Sequence, residues 1–136
     1  MPDSRFYGFD SFEGLPDKWE RAEAGLFSTR GEVPKVNDPR VKFVKGWFNE
    51  TLPEFLSTFL PKSRLVIHYD ADVYSSTLYV LTKLDKISIP ETIVIFDEFR
   101  SPLDEFRAFH DYLSAYRRKL SVLATTKDGR AAFIFA

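Results

Sequence analysis

Short apolar runs rich in β-branched and aromatic residues recur along the chain, separated by polar stretches with turn residues. Arg5 to Phe9, Val41 to Val44, Leu65 to Tyr69, Thr92 to Phe96, Leu120 to Thr125 and Ala131 to Phe135 read as strands. Between them the apolar spacing changes to that of helices. Thr51-Leu52-Pro53-Glu54-Phe55-Leu56 opens a short helix, with Thr51 placed to cap it, Pro53 suited to its first turn and Pro61 to stop it. Ser75-Ser76-Thr77 offer N-caps for a helix to about Asp85, with Leu78, Leu81 and Leu84 on one face and Ile89-Pro90 beyond its end. Pro102 begins a long amphipathic helix to about Arg118, with Leu103, Phe106, Phe109 and Leu113 at helical spacing. The stretch from Lys18 to Asp38 is polar, with Gly25, Gly31 and Pro34, and reads as loop apart from a turn or two of helix over residues 17–23.

The order is strand, loop, strand, then helices alternating with strands, and finally two strands joined by Lys127-Asp128-Gly129-Arg130. Asp-Gly is a strong hairpin signal. This order predicts one α/β domain over residues 1–136, a doubly wound, mostly parallel sheet with a C-terminal antiparallel hairpin.

Two of the runs end abruptly in acids. Leu65 to Tyr69 leads into Asp70-Ala71-Asp72, and Ile93 to Phe96 leads into Asp97-Glu98. A helix-length segment separates the runs, so the strands are expected to be parallel and buried on both faces. Ligands of open parallel sheets bind beyond the carboxyl ends of the strands. Four carboxylates gathered there repel one another, and a hard divalent cation is the common remedy; Mg²⁺ or Ca²⁺ suits an all-oxygen shell. The plainer alternative is that these acids only favour a helix N-terminus. Asp10 also ends a strand, where an acid accepts hydrogen bonds from ribose hydroxyls or simply forms a turn before Ser11. His68 and His110 both read as core histidines.

Composition narrows the function. The 136 residues carry a net charge of −1, which gives no electrostatic case for nucleic acid or an anionic membrane. The absence of cysteine excludes disulfides, thiolate metal sites and a cysteine nucleophile. Glycine-rich phosphate loops and a nucleophile elbow are missing as patterns. No run is long enough to span a membrane and no signal-peptide pattern opens the chain, so a cytoplasmic location is expected. The fourteen Phe and six Tyr imply a bulky core.

Four segments together resemble a known family. Phe6-Tyr7-Gly8-Phe9-Asp10-Ser11-Phe12-Glu13-Gly14-Leu15-Pro16 resembles the second-strand motif of the macrocin O-methyltransferases. Gly46-Trp47-Phe48-Asn49-Glu50-Thr51-Leu52-Pro53 is similar to the segment that follows, and His68 to Thr77 is similar to the D-x-D-x-Y-x-S-T signature after the fourth strand. Thr92 to Glu98 resembles the fifth strand with its acidic pair. The resemblance implies a Rossmann-like class I methyltransferase fold and S-adenosylmethionine as cofactor. It also implies Mg²⁺ and a hydroxyl of a sugar-like small molecule as acceptor. It assigns Asp70, Asp97 and Glu98 to the metal, Asp72 to the general base, and Asp10, Ser11, Phe12 and Asp70 to the cofactor.

In the family a helical region, a first strand and its glycine-rich loop precede the motif that begins here at Phe6, so the expected fold is a truncated one. An open sheet edge is then expected, to be completed by a second copy or a partner chain. Two rival readings follow: a non-catalytic remnant of the fold, and an interaction module that pairs through that edge.

Overall fold

The computed structural model describes residues 3–136. They form two compact units, one ending at Thr58 and one running from Phe59 to Ala136. In the first unit, strand β1 (Phe6–Asp10) pairs in parallel with β2 (Val41–Lys45), from Phe6 opposite Val41 to Asp10 opposite Lys45. Helix α1 (Phe48–Thr58) lays Phe55 edge-on against Tyr7 and Phe9, each at 5.0 Å between ring centroids.

The connection from β1 to β2 is long but fastened. The Phe12 carbonyl accepts the Gly31 amide at 2.7 Å, and the amides of Leu15 and Gly25 bond to the carbonyls of Leu26 and Leu15. Gly14 has φ 90°, and a Cβ there would run into the Gly25 carbonyl, so the close approach of these strands of loop requires glycine. Residues 17–23 are not helical. Trp19 and Ala22 make an isolated antiparallel bridge instead, around Glu20 in the left-handed region. Helix α1 begins ahead of Thr51, because the Trp47 carbonyl already accepts the amides of Glu50 and Thr51, each at 3.0 Å. The Thr51 hydroxyl therefore donates to Trp47 from inside the helix rather than capping it.

The second unit contains β3 (Val66–Tyr69), α2 (Tyr74–Leu84) with a 3₁₀ turn over Asp85–Ile87, and β4 (Ile93–Phe96). Helix α3 (Glu105–Tyr116), β5 (Leu120–Thr125) and β6 (Ala131–Phe135) complete it. The sheet order is β3-β4-β6-β5, with β3 and β4 parallel and β6 antiparallel to both its neighbours. The hairpin expected at Asp128-Gly129 is present, and a bulge lies between Val122 and Ala124. Its second strand takes the inner place because Ala131, Phe133 and Phe135 are buried, whereas β5 is largely exposed.

The single, mostly parallel sheet is not what forms. The described strands make two sheets, and the larger is mixed. Among the described residues no strand bonds to the second edge of β3. Burial on both faces is also not observed for β3. Tyr69 is buried, but Val66 is 55% exposed, and in β4 only Val94 and Phe96 are fully buried. One face carries the core: Tyr69, Phe96, Phe133 and Phe135 from the strands meet Leu81 of α2 and Phe109 and Tyr112 of α3.

Helix α2 starts after Val73, which makes no side-chain cap bond, so Ser75-Ser76-Thr77 lie in its first turn and do not cap it. Helix α3 is shorter than expected and ends on Arg117 in the left-handed region. That turn aims Arg118 at the 3₁₀ turn. Its Nε donates to Asp85 at 2.7 Å and its Nη2 donates to the Asp85 carbonyl at 2.8 Å, while the Tyr112 hydroxyl donates to the same carboxylate. Burial raises the Asp85 pKa, yet the bonds from Arg118 and Tyr112 outweigh it and hold the carboxyl below its usual value. Arg118→Ala should cost about 2 kcal/mol, the worth of hydrogen bonds to a half-buried charge. Urea unfolding measures this, and a loss within experimental error of zero contradicts it. Among the described residues no helix is long and apolar enough to cross a membrane.

Candidate functional site

The parallel pairing of β3 with β4 brings their carboxyl ends to one edge, and the Asp97 amide continues the ladder by donating to the Tyr69 carbonyl at 3.1 Å. The two acidic loops therefore start side by side. After β3 the chain turns sharply. Asp72 has φ 56°, a left-handed conformation that aspartate tolerates, and the Val73 amide closes on the Ala71 carbonyl at 2.6 Å. The turn points the two aspartates differently: Asp70 is exposed, while Asp72 is only 8% exposed.

Burial is the main cause that lifts the Asp72 carboxyl to about 6, and the charges of Asp70, Glu98, Asp97 and Asp104 lift it further. The sequence-predicted acids thus do share one electrostatic neighbourhood. They do not converge as ligands. Among the described residues no group of three or more His, Asp or Glu side chains is disposed to hold a metal ion. Of the expected set of Asp70, Asp97 and Glu98, Asp97 already has a partner of opposite charge. Its carboxylate accepts Arg130 Nε at 2.6 Å, so a guanidinium from the β5–β6 hairpin supplies the opposite charge. Arg130 is itself held by Asp128. His68 is not a core histidine: it is about half exposed, with Nε2 at 3.8 Å from Asp97. His110 is exposed, with its ring against Phe106.

One further acid was not singled out by the sequence reading. Glu105, the first residue of α3, is completely buried. Its Oε1 accepts the Ala71 amide at 3.3 Å and its Oε2 accepts the Glu98 amide at 3.0 Å. Burial raises its carboxyl to about 7, against the lowering effect of those two bonds, and Asp72 and Asp70 add to the rise. A signal for it exists in the sequence. Glu105 stands at i, i+3, i+4 and i+7 spacing with the buried Ala108, Phe109 and Tyr112, a polar residue on an apolar stripe. The expected stripe of Leu103, Phe106, Phe109 and Leu113 is rotated from the real one, and Leu103 is 69% exposed.

Both raised carboxyls oppose folding at neutral pH. A carboxyl whose folded pKa lies above its unfolded value contributes stability below about pH 4, and that stability is lost as pH rises through about 6 for Asp72 and about 7 for Glu105. Asp72→Asn should therefore melt higher than the wild type at pH 7.5, by about 2 kcal/mol of stability, and equal it near pH 4. Parallel melting curves for the two proteins across this window would contradict the assignment.

In the first unit, Asp10 ends β1 as expected. Its Oδ1 accepts the Phe12 amide at 2.6 Å, and Ser11 Oγ accepts the Glu13 amide at 3.1 Å. The turn-forming use of Asp10 is thus realised, with Ser11 and Phe12 both buried behind it. An anchored carboxylate at a strand end is an acceptor of the kind that suits the hydroxyls of a ribose diol.

Comparison with known proteins identifies the family. The macrocin-O-methyltransferase family model matches residues 1–124. A demethyldecarbamoylnovobiocin O-methyltransferase of Streptomyces niveus is 32% identical over 75% of the chain and 47% of its own length. An 8-demethyl-8-(2,3-dimethoxy-alpha-L-rhamnosyl)-tetracenomycin-C 4'-O-methyltransferase of Streptomyces olivaceus is 33% identical over 82% of the chain and 48% of its own. The chain thus spans about half the length of these curated relatives. Among solved structures, the calicheamicin methyltransferase CalS11 superposes with a TM-score of 0.74 at 25% identity, covering 98% of this chain and 61% of that one. The O-methyltransferase NovP gives 0.73 at 23% identity, covering 97% and 60%, a likeness of fold. With nearly all of the residues matched and the acidic turn after β3 in place, the chain belongs to the macrocin-O-methyltransferase family.

Proposed function

We propose that the protein takes part in S-adenosylmethionine-dependent methylation of a hydroxyl on a sugar-like small molecule, with Asp72 as the general base. The observation that supports this best is Asp72 itself. A nearly buried carboxylate at a strand end, lifted to about 6 by burial and by its acidic neighbours, titrates close to the pH at which a base is most effective. The family match and the sugar named in the tetracenomycin relative support the acceptor class. When bound, S-adenosylmethionine supplies an electrophilic methyl group on sulfur. Asp72 would take the proton of the acceptor's hydroxyl as that oxygen receives the methyl group. Asp10, with Ser11 and Phe12 shaping its turn, is assigned to the cofactor ribose, and Asp70 to the cofactor side of the β3 loop. The acids do not gather as ligands for a divalent cation, so no step is drawn through Mg²⁺.

Incubation with methyl-labelled S-adenosylmethionine and a rhamnoside tests the reading. The expected product carries label on a sugar oxygen. Failure to transfer label to any of a panel of deoxysugar glycosides overturns it.

A second reading has its own observation: β3 is hydrogen-bonded on one edge only among the described residues, and its Val66 is exposed. An open parallel edge accepts another strand, as in the interaction-module reading. Light scattering over a concentration series decides this. A mass that stays monomeric at high concentration removes self-pairing.

A further inference from the structure

Glu105 is an uneconomical choice for the fold alone. A carboxylate completely removed from water costs free energy, and an apolar side chain at this stripe position would pack without that cost. Its two oxygens are used on two different loops. Oε1 holds the amide between Asp70 and Asp72, and Oε2 holds the amide of Glu98, next to Asp97. One side chain at the start of α3 thus bridges the turn after β3 to the turn after β4. Backbone amides are the groups bound, so the bridge fixes the path of both loops without engaging their acidic side chains. The β3–β4 ladder alone does not do this, because its last bond is from the Asp97 amide to Tyr69, before either turn begins.

We propose that Glu105 is a positioning residue that locks the two acidic loops to one another and to α3, so that Asp72 and the Asp97-Glu98 pair keep a constant spacing. Its use rests on the methyltransferase reading given above, whereas the lock itself is a property of the second unit. Neutral Gln at this position retains one acceptor and presents an N–H₂ group to the other amide, which must then break away. Leu fills the same stripe and releases both.

Amide hydrogen exchange, resolved by residue in the whole chain, tests the lock. In E105Q at least one of the Ala71 and Glu98 amides should exchange about tenfold faster or more, and in E105L both should, with the Val94 and Phe96 amides of the core unchanged. E105L covers the case in which the Gln variant folds poorly. Unchanged exchange at residues 71 and 98, or an acceleration shared equally with Val94 and Phe96, overturns the proposal. Calorimetry with S-adenosylhomocysteine then tests the use of the lock. Affinity should fall about tenfold in E105Q, since the loops that shape the site lose their common anchor. Equal affinity in a variant whose loop amides are freed overturns the positioning role. No binding by the wild-type chain counts against the methyltransferase reading alone, and the exchange result then decides the lock by itself.

Discussion

Asp72→Asn should lower the rate of methyl transfer by about 100-fold or more, the usual worth of a positioned general base. The substitution preserves shape, so cofactor affinity should hold within a few fold while kcat falls. The pH profile gives the sharper signature. Asp72 accepts a proton only when ionised, and burial with its acidic neighbours holds it at about 6. In the wild type kcat should therefore rise with pH through about 6 and level off above it. In the Asn variant that limb should vanish. A wild-type profile flat from pH 5 to 8, or an Asn variant that keeps the limb, assigns the base elsewhere. The same substitution is expected to raise stability at neutral pH, so loss of activity by unfolding is separable from loss of the base.

Phe96→Ala should be the most damaging single change to the second unit, at about 4 kcal/mol. Phe96 is wholly buried at the end of β4 and touches four other rings. It stacks on Tyr69 at 4.8 Å and meets Phe99, Phe109 and Phe133 at 5.3, 5.1 and 6.2 Å. Truncation leaves a cavity that rigid aromatic neighbours cannot refill, and it frees the strand end from which Asp97 and Glu98 project. Urea unfolding followed by tryptophan-independent far-ultraviolet dichroism measures the loss. A cost below about 1 kcal/mol would mean that the ring cluster is not the core of this unit.

Much of the local structure was legible because it follows from chain-local rules. The first four strands form where an apolar run ends at a turn residue or an acid, and the Asp128-Gly129 hairpin forms where its turn chemistry demands it. The acids were placed correctly at the ends of β3 and β4, since a strand that ends abruptly in carboxylates fixes where they emerge. What they do next depends on partners distant in sequence. Asp97 is answered by Arg130, thirty-three residues later, and no spacing near Asp97 announces that guanidinium.

The helix faces show the same limit. A choice of Leu103 and Phe106 as core positions is reasonable by hydropathy, yet α3 begins after Leu103, which is exposed, and buries Ala108 and Tyr112. Small and amphipathic residues carry weak hydropathy signals, so the stripe is ambiguous by about one position until the sheet beneath it is known. Glu105 was hidden by the same ambiguity: shifted by one residue it looks like a solvated acid at a helix start. That the described strands form two sheets was not legible, because strand pairing is a long-range property. Runs of apolar residues identify strands but not their neighbours.

The rim beyond β3 and β4, with Asp72 as its base, is the working site we propose. Titration of the isotope-labelled chain with S-adenosylhomocysteine, followed by amide chemical shifts, tests it most directly. Saturable binding that shifts Asp70, Ala71, Asp72, Asp97 and Glu98 at one common dissociation constant is expected. Saturable shifts confined to other residues, or none at millimolar ligand, would contradict it.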